Sequence, residues 1–143
     1  MGSLLSLRVS ASGLTAQRLR MDAIAGNIAN VNTTRSSDGG PYKRRAVVLE
    51  SWPPRGGLLA LSGRSGTPAG VRAVEVVERT GVRLVNDPQH PDADEQGNVA
   101  YPDIDIVQEM TDMMSAVRAY EASVTAINGA KSMAEKALEI GRG

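Results

Sequence analysis

The sequence contains no cysteine, which excludes disulfide bonds, thiolate metal sites and cysteine nucleophiles. Phenylalanine is also absent, and the only aromatic residues are one tryptophan and three tyrosines. A core of aliphatic side chains and methionine buries less apolar area per residue than an aromatic-rich core. At 143 residues, a fold confined to one copy of this chain would therefore be only marginally stable.

Neither charge is in excess, because 16 basic residues balance 16 acidic residues. Nucleic-acid-binding domains need a strongly basic face, so we expect no DNA or RNA partner. No run approaches the roughly 18 apolar residues of a membrane-spanning helix, so we expect no direct membrane insertion. The first residues lack the basic and apolar regions of a cleavable secretory signal peptide, which predicts that none is present.

Helical periodicity is present at both ends of the chain. A seven-residue apolar repeat starts at Ile106, and a weaker repeat starts at Leu4. Alternating steps of three and four place each repeat on one side of a helix, which is the seam geometry of a coiled coil. Arg18 and Lys131 interrupt these stripes and are predicted to set register. The residues predicted to form helix-packing and subunit contacts are Leu7, Leu14, Met21, Ile28, Ile106, Met110, Met113, Val117, Tyr120, Val124, Ile127 and Leu138.

Between the helices, short β-branched runs alternate with Gly, Pro, Asn and Asp. The predicted strands are residues 46–52, 71–78, 82–85 and 99–101, and a Gly/Pro-rich excursion covers 53–70. The predicted fold is mainly α with a small β middle, in which the long terminal helices pair as a coiled coil around an irregular β-containing insert. The expected regions are an N-terminal helix in 1–32, a β/loop middle in 33–102 and a C-terminal helix in 103–143, with the two helices forming one helical domain.

The start of the second helix carries a recognisable cap. Asp105 is the predicted N-cap, and Gln108 three residues later completes a capping box. Gly141 and Gly143 are predicted to end this helix.

Signs of chemistry are weak. The acidic stretch 86–98 offers carboxylate oxygens at Asp87, Asp92, Asp94 and Glu95, but its spacing departs from a calcium loop, and a solvated linker explains it equally well. His90 has no serine or cysteine motif with which to form a triad. Residues 57–65 have the wrong spacing for a phosphate-binding loop. We therefore predict no catalytic residue, no metal site and no cofactor.

One run of residues resembles a known family. Residues 24–33 read Ile-Ala-Gly-Asn-Ile-Ala-Asn-Val-Asn-Thr, similar to the N-terminal signature of bacterial flagellar rod and hook axial proteins. Gly26 stands where that family usually has Asn. Further motifs at 39–44, 87–94, 97–110, 118–124 and 130–141 resemble the proximal rod members in particular. The family signature residues are Asn27, Ile28, Ala29, Asn30, Asn32 and Thr33, which the resemblance implies help to end the first helix and set subunit contacts.

The resemblance implies a structural axial subunit of the flagellar basal-body rod, with no enzymatic activity. Such a subunit polymerises through its terminal helices, transmits torque and forms part of the export channel. Its implied partners are other copies of itself, other rod proteins, the rod-base/MS-ring adaptor and the flagellar type III export apparatus. It would lie in the periplasmic part of the basal body after export without a cleavable signal peptide.

Two alternatives remain open from the residues alone. A helical adaptor or chaperone-like interaction module would use the same apolar stripes to bind one defined partner. A metal-dependent hydrolase acting on the cell wall would instead depend on the acidic stretch, with Asp92 as the residue to test.

Overall fold

The computed structural model describes residues 2–51 and 70–141, with side chains from residue 6 onward. Two terminal helices flank a small β region, as the sequence predicts, and its four strands pair as two antiparallel hairpins. The Gly/Pro-rich residues 53–69 and Gly143 lie outside the described residues. The elements are α1 Gly2–Ala29, β1 Arg44–Ser51, β2 Val71–Arg79, β3 Val82–Asn86, β4 Asn98–Pro102 and α2 Ile106–Ile140.

The two helices lie antiparallel against each other. Asn27, near the end of α1, hydrogen-bonds to Glu109, near the start of α2. Farther along, Gly13 faces Ser123 so closely that a Cβ on the glycine would lie 3.3 Å from the serine Oγ. The helix faces that meet carry short side chains, such as the buried Ala116. Short side chains let helix axes approach closely. Among the described side chains of the two helices, Ile24 is the one large apolar residue that is buried.

The start of α2 is capped by the predicted residue. Asp105 has extended backbone angles, and its carboxylate accepts hydrogen bonds from the backbone N–H groups of Val107 and Gln108 at 2.9 and 3.3 Å. Within the described residues the Gln108 side chain makes no hydrogen bond with the backbone N–H of Asp105, so only half of the predicted capping box is present. Gly141 follows the last turn with a φ of −75°, in the right-handed region, and its N–H donates to the carbonyl of Ala137.

The β1–β2 hairpin lies lengthwise along α1. Its strands pair antiparallel from Arg44 opposite Arg79 to Ser51 opposite Val71, with a bulge after Val48. At the far end, the Ser12 hydroxyl of α1 accepts a hydrogen bond from the Val71 N–H at 3.0 Å. α1 thus holds this hairpin near both of its ends, since Asn27 binds β1 at the other.

The β3–β4 hairpin leads directly into α2. Its strands pair antiparallel from Val82 opposite Pro102 to Asn86 opposite Asn98. Val99 is fully buried, and the exposed β3 strand forms the outer edge. The acidic stretch is the loop of this hairpin, because β3 ends at Asn86 and β4 starts at Asn98.

Gly70 provides a test of how tightly the first hairpin is held on α1. Its φ is +135°, a conformation that side chains disfavour, and a Cβ there would overlap the Ser12 Oγ. We expect Gly70→Ala to lower the free energy of unfolding by about 1–3 kcal/mol in urea titrations followed by circular dichroism. Gly129→Ala is the control, because a Cβ at this position in α2 meets nothing within 4 Å. It should stabilise the helix by up to about 1 kcal/mol. Equal stability of the Gly70 variant and the parent would contradict the close fit.

Candidate assembly site at the helix junction

A buried polar cluster joins the end of α1 to the start of α2 and to β1. We call it the helix junction and define it by Asn27, Tyr42, Arg44 and Glu109. The side chains of Asn27 and Glu109 are among the most buried in the described structure, with the residues 0% and 1% exposed. Buried polar groups are costly unless they are hydrogen-bonded, so their partners decide whether the junction stabilises the fold.

Asn27 uses both ends of its side-chain amide. Its Nδ2 donates to the backbone carbonyl of Arg45 at 2.8 Å and to Glu109 Oε2 at 2.9 Å. Its Oδ1 accepts from the Arg45 N–H at 2.8 Å and from the Tyr42 hydroxyl at 3.3 Å. One side chain therefore binds a strand, a loop and the second helix at once.

Glu109 receives donors at both carboxylate oxygens. While Oε2 accepts from Asn27, Oε1 accepts from Arg44 Nε at 2.7 Å and lies 2.6 Å from its terminal nitrogen. The Arg44 side chain is 23% exposed and the Glu109 side chain 1%, so the ion pair lies at the inner edge of the junction. Charge-assisted bonds of this length are stronger than bonds between neutral groups. Both oxygens of the carboxylate are thus paired within the chain.

Two of the remaining signature residues, Asn30 and Thr33, shape the end of α1. Asn30 donates from Nδ2 to the Gly26 carbonyl at 2.9 Å, which satisfies one of the last carbonyls of the helix. Thr33 then donates to Asn30 Oδ1 at 3.1 Å, and its carbonyl accepts from the Tyr42 N–H. Ile28 is half-buried, whereas Ala29 and Asn32 are exposed.

A second polar contact ties the segment after α1 to the acidic loop. Asp92 accepts from the Thr34 hydroxyl at 2.8 Å and pairs with Arg35 at 2.7 Å. Asp94 accepts from the backbone N–H groups of Gln96 and Asn98. These carboxylates therefore hold the loop together. Among the described residues, no group of three or more histidine and carboxylate side chains is arranged to hold a metal ion.

His90 belongs to the same loop. Its Nδ1 accepts from the backbone N–H of Asp92 at 3.1 Å, and its ring packs edge-on against Tyr101 with centroids 6.2 Å apart. These contacts give the histidine a packing role.

The predicted stripe residues divide into two groups within one chain. The α2 row nearest α1 is Glu109, Ala116, Ser123 and Ala130, which repeats every seven residues. The half-buried stripe residues are Leu7, Leu14, Met21, Ile28, Met113, Tyr120, Val124 and Ile127, and the exposed ones are Ile106, Met110, Val117 and Leu138. Arg18 and Lys131 are also exposed. The subunit contacts predicted for these residues stay a prediction.

Residue patterns alone did not identify Arg44, Tyr42 and Glu109 as partners of Asn27. Glu109 lies beside the apolar stripe, not on it, and the four residues are spread over 83 positions of the chain. A signal was nevertheless present. All four lie in motifs that carry the family resemblance, and the structure brings these distant motifs together.

Two family models match the ends of the chain. The model described as "Flagella basal body rod protein" matches residues 7–35, which include Asn27 and the end of α1. The model described as "Flagellar basal body rod FlgEFG protein C-terminal" matches residues 95–140, which include Glu109 and α2.

Relatives match over nearly the whole chain, and each bears the name flagellar basal-body rod protein FlgC. The protein from Borreliella burgdorferi is 42% identical over 154 residues, covering 100% of both chains. The Bacillus subtilis protein is 43% identical, covering 96% of this chain and 97% of the relative. The Aquifex aeolicus protein is 40% identical, covering 94% and 93%. The chain therefore belongs to the FlgC family of flagellar basal-body rod proteins.

Proposed function

We propose that this chain is a structural subunit of the bacterial flagellar basal-body rod, in its proximal part. The observation that carries this proposal is the similarity to FlgC rod proteins over the full length of the chain. The chain is a structural protein and not an enzyme, since its relatives are named as rod proteins. The same similarity disfavours a helical adaptor.

The exposed apolar residues of α2 support a role in assembly. Met110 is 55% exposed and Leu138 is 70% exposed in the single chain. Burial of apolar surface contributes about 25 cal/mol per Å², so neighbouring helices that cover this face stabilise the assembly. Surface of this kind, spread along a helix of 35 residues, is typical of a subunit that completes its core with other subunits.

We assign each region a part in the rod. Residues 1–32 and 103–143 form one axial domain whose helices pack as a coiled coil with each other and with neighbouring subunits. Residues 33–102 supply subunit-specific contacts outside this layer. The helix junction holds both parts together, so torque applied to one is carried to the other. Heterologous contacts between like-oriented subunits generate rings or helical filaments.

The expected partners follow from this assignment. They are other copies of this chain, other rod proteins, the rod-base/MS-ring adaptor and the flagellar type III export apparatus. The signature residues around Asn32 would contribute to these contacts. The chain would reside in the basal body, within the periplasmic space. Neither helix in the described part of the chain is long and apolar enough to cross a membrane.

Val117 and Val124 test the role of the helices. We expect Val117→Asp and Val124→Asp each to abolish incorporation into basal bodies and swimming, because a carboxylate would be buried without a partner between subunits. Secretion of the chain should continue largely unchanged, since export acts on the unfolded chain. The measurements are swimming in soft agar, immunoblots of purified basal bodies and immunoblots of culture supernatants.

Val74→Asp is the matched control, because this equally apolar residue is 46% exposed on β2, outside the helices. Swimming should exceed that of the helix variants. Normal motility in both helix variants would overturn the proposed packing. Normal motility after deletion of the gene would overturn the proposed function itself.

A further inference from the structure

The outer face of α2 combines apolar and charged side chains. Met110 and Met114 are 55% and 57% exposed, and Arg118 and Glu121 follow on the same side of the helix. Steps of four, four and three residues keep these side chains in one line. Within residues 2–51 and 70–141, neither Arg118 nor Glu121 has an ion pair or a side-chain hydrogen bond. This face therefore has the features of a binding surface whose partner lies outside the single chain.

Along the outer face of α1 the order is reversed, with the charged side chains first and the apolar ones after them. Arg18 and Asp22 are exposed, and Ala25 and Ala29 follow on the same side of the helix. Within the described part of the chain, neither Arg18 nor Asp22 forms an ion pair. The two alanines leave shallow space beside the charges, which suits long side chains from another helix.

Both outer faces lie opposite the seam within the chain. Arg18 is two positions from the buried Ala16, and Met114 is two positions from the buried Ala116. Two helical positions correspond to about 200° around the axis, so each helix has one face on its own partner and another facing away. A row of alternating α1 and α2 helices can therefore continue from copy to copy.

We propose that the outer face of α2 in one copy packs antiparallel on the outer face of α1 in a second copy, in a register that pairs Glu121 with Arg18 and Arg118 with Asp22. This inference rests on the proposed function, which supplies the neighbouring copies. A single register satisfies both ion pairs. The same register places Met114 over Ala25 and Met110 over Ala29.

The orientation of the copies follows from this contact. α1 and α2 are antiparallel within each chain, so an antiparallel contact between chains leaves both copies pointing in the same direction. The contact is heterologous, because different surfaces of the two copies meet. It therefore extends a ring or helix of like-oriented subunits and does not stop at a dimer.

Cysteine cross-linking in basal bodies tests the register, since the chain has no native cysteine. With Ala25→Cys and Met114→Cys in one chain, mild oxidation should give a ladder of multimers on non-reducing gels. The control pairs Ala25→Cys with Thr125→Cys, an exposed position about three turns farther along the same side of α2. We expect about tenfold less cross-linked product from the control, because disulfides require Cα atoms within about 7 Å.

Charge exchange tests the ion pairs in cells. Arg18→Glu and Glu121→Arg should each reduce incorporation and swimming about tenfold, because like charges then face each other. The double variant should restore both, since every copy supplies both faces and every contact regains opposite charges. Glu75→Arg, a charge reversal at an exposed position on β2, is the control, and combining it with Arg18→Glu should not restore incorporation.

The outcomes separate this inference from the proposed function. A ladder together with rescue by the double variant supports the contact. Cross-links only to a different rod protein, equal cross-linking in both cysteine pairs, or no rescue in a folded double variant would overturn it. In each of these cases the chain would still be found in basal bodies if the proposed function is correct. Absence of the parent chain from basal bodies would overturn the function instead.

Discussion

Replacing Glu109 by alanine is expected to lower the free energy of unfolding by roughly 3–5 kcal/mol. The carboxylate accepts from Arg44 at one oxygen and from Asn27 at the other, and its removal leaves both donors without this acceptor. Arg44 would then remain a largely buried charge without a counter-ion. Domains of this size have a free energy of unfolding of about 5–15 kcal/mol, so the loss is a large part of the total stability.

Urea unfolding of the purified chain measures this effect. Glu109→Gln should also destabilise the chain, because an amide presents only one acceptor oxygen where donors reach both oxygens of the carboxylate. Glu135→Ala is the control, since this side chain is 61% exposed and lies 3.9 Å from Lys131. It should change stability by less than about 0.5 kcal/mol. A Glu109→Ala variant as stable as this control would contradict the account of the junction.

A double substitution distinguishes a lost pair from a lost packing position. Replacing both Arg44 and Glu109 with apolar residues, Arg44→Met with Glu109→Leu, removes the charges together. Such replacements are often neutral or stabilising, because neither ion is left buried alone. We therefore expect the double variant to be more stable than Glu109→Ala. If it is less stable, the acid at position 109 acts through shape and not through its charge.

Replacing Asn27 by aspartate is expected to disrupt the same junction by at least about 3 kcal/mol. The Nδ2 group donates to the Glu109 carboxylate and to the Arg45 carbonyl, and an aspartate oxygen would face both acceptors. Two carboxylates would then lie within hydrogen-bonding distance in a buried site. The substitution changes little in volume, so the effect reports on donors and charge.

Asn32→Asp is the matched control, because it makes the same chemical change in the same signature at an exposed position. Urea unfolding should show a change of less than about 0.5 kcal/mol for this control. In cells, the Asn27 variant should be absent from basal bodies. An Asn27→Asp chain with parental stability would show that the hydrogen bonds at the junction contribute little.

The elements of the fold were largely predictable from local sequence. Long apolar periodicity marked both helices, β-branched runs between turn residues marked the four strands, and Asp105 marked the start of α2. Strand ends differed by one or two residues, for example at Arg44, where polar side chains continue the pairing beyond the apolar run. Such signals are local, so they do not depend on what the elements pack against.

The seam between the helices was harder to predict. Pattern reasoning assigns the largest apolar residues to the buried face, but here Ala116, Ser123 and Ala130 face α1 while Met110 remains exposed. Close approach of two helices favours short side chains, and a sequence does not state which apolar row is kept for a neighbouring copy. The difference between these rows is itself informative about assembly.

The polar junction could not be predicted from the sequence for a different reason. Glu109 and Asn27 are 82 residues apart and are ordinary polar residues on their own helices. Only the antiparallel helix pair and the position of β1 bring them together. The role of the acidic loop was also left open by its sequence, and the structure shows that its aspartates bind backbone N–H groups and Arg35. Short polar side chains often satisfy their own loop in this way.

A reconstruction of the intact basal body at side-chain resolution would show whether α2 keeps an apolar outer face for neighbouring rod subunits. We expect Met110 and Met114 to be covered by a helix of an adjacent subunit, while Asn27 and Glu109 remain paired within the chain. An outer face of α2 left open to solvent along the rod would contradict this expectation.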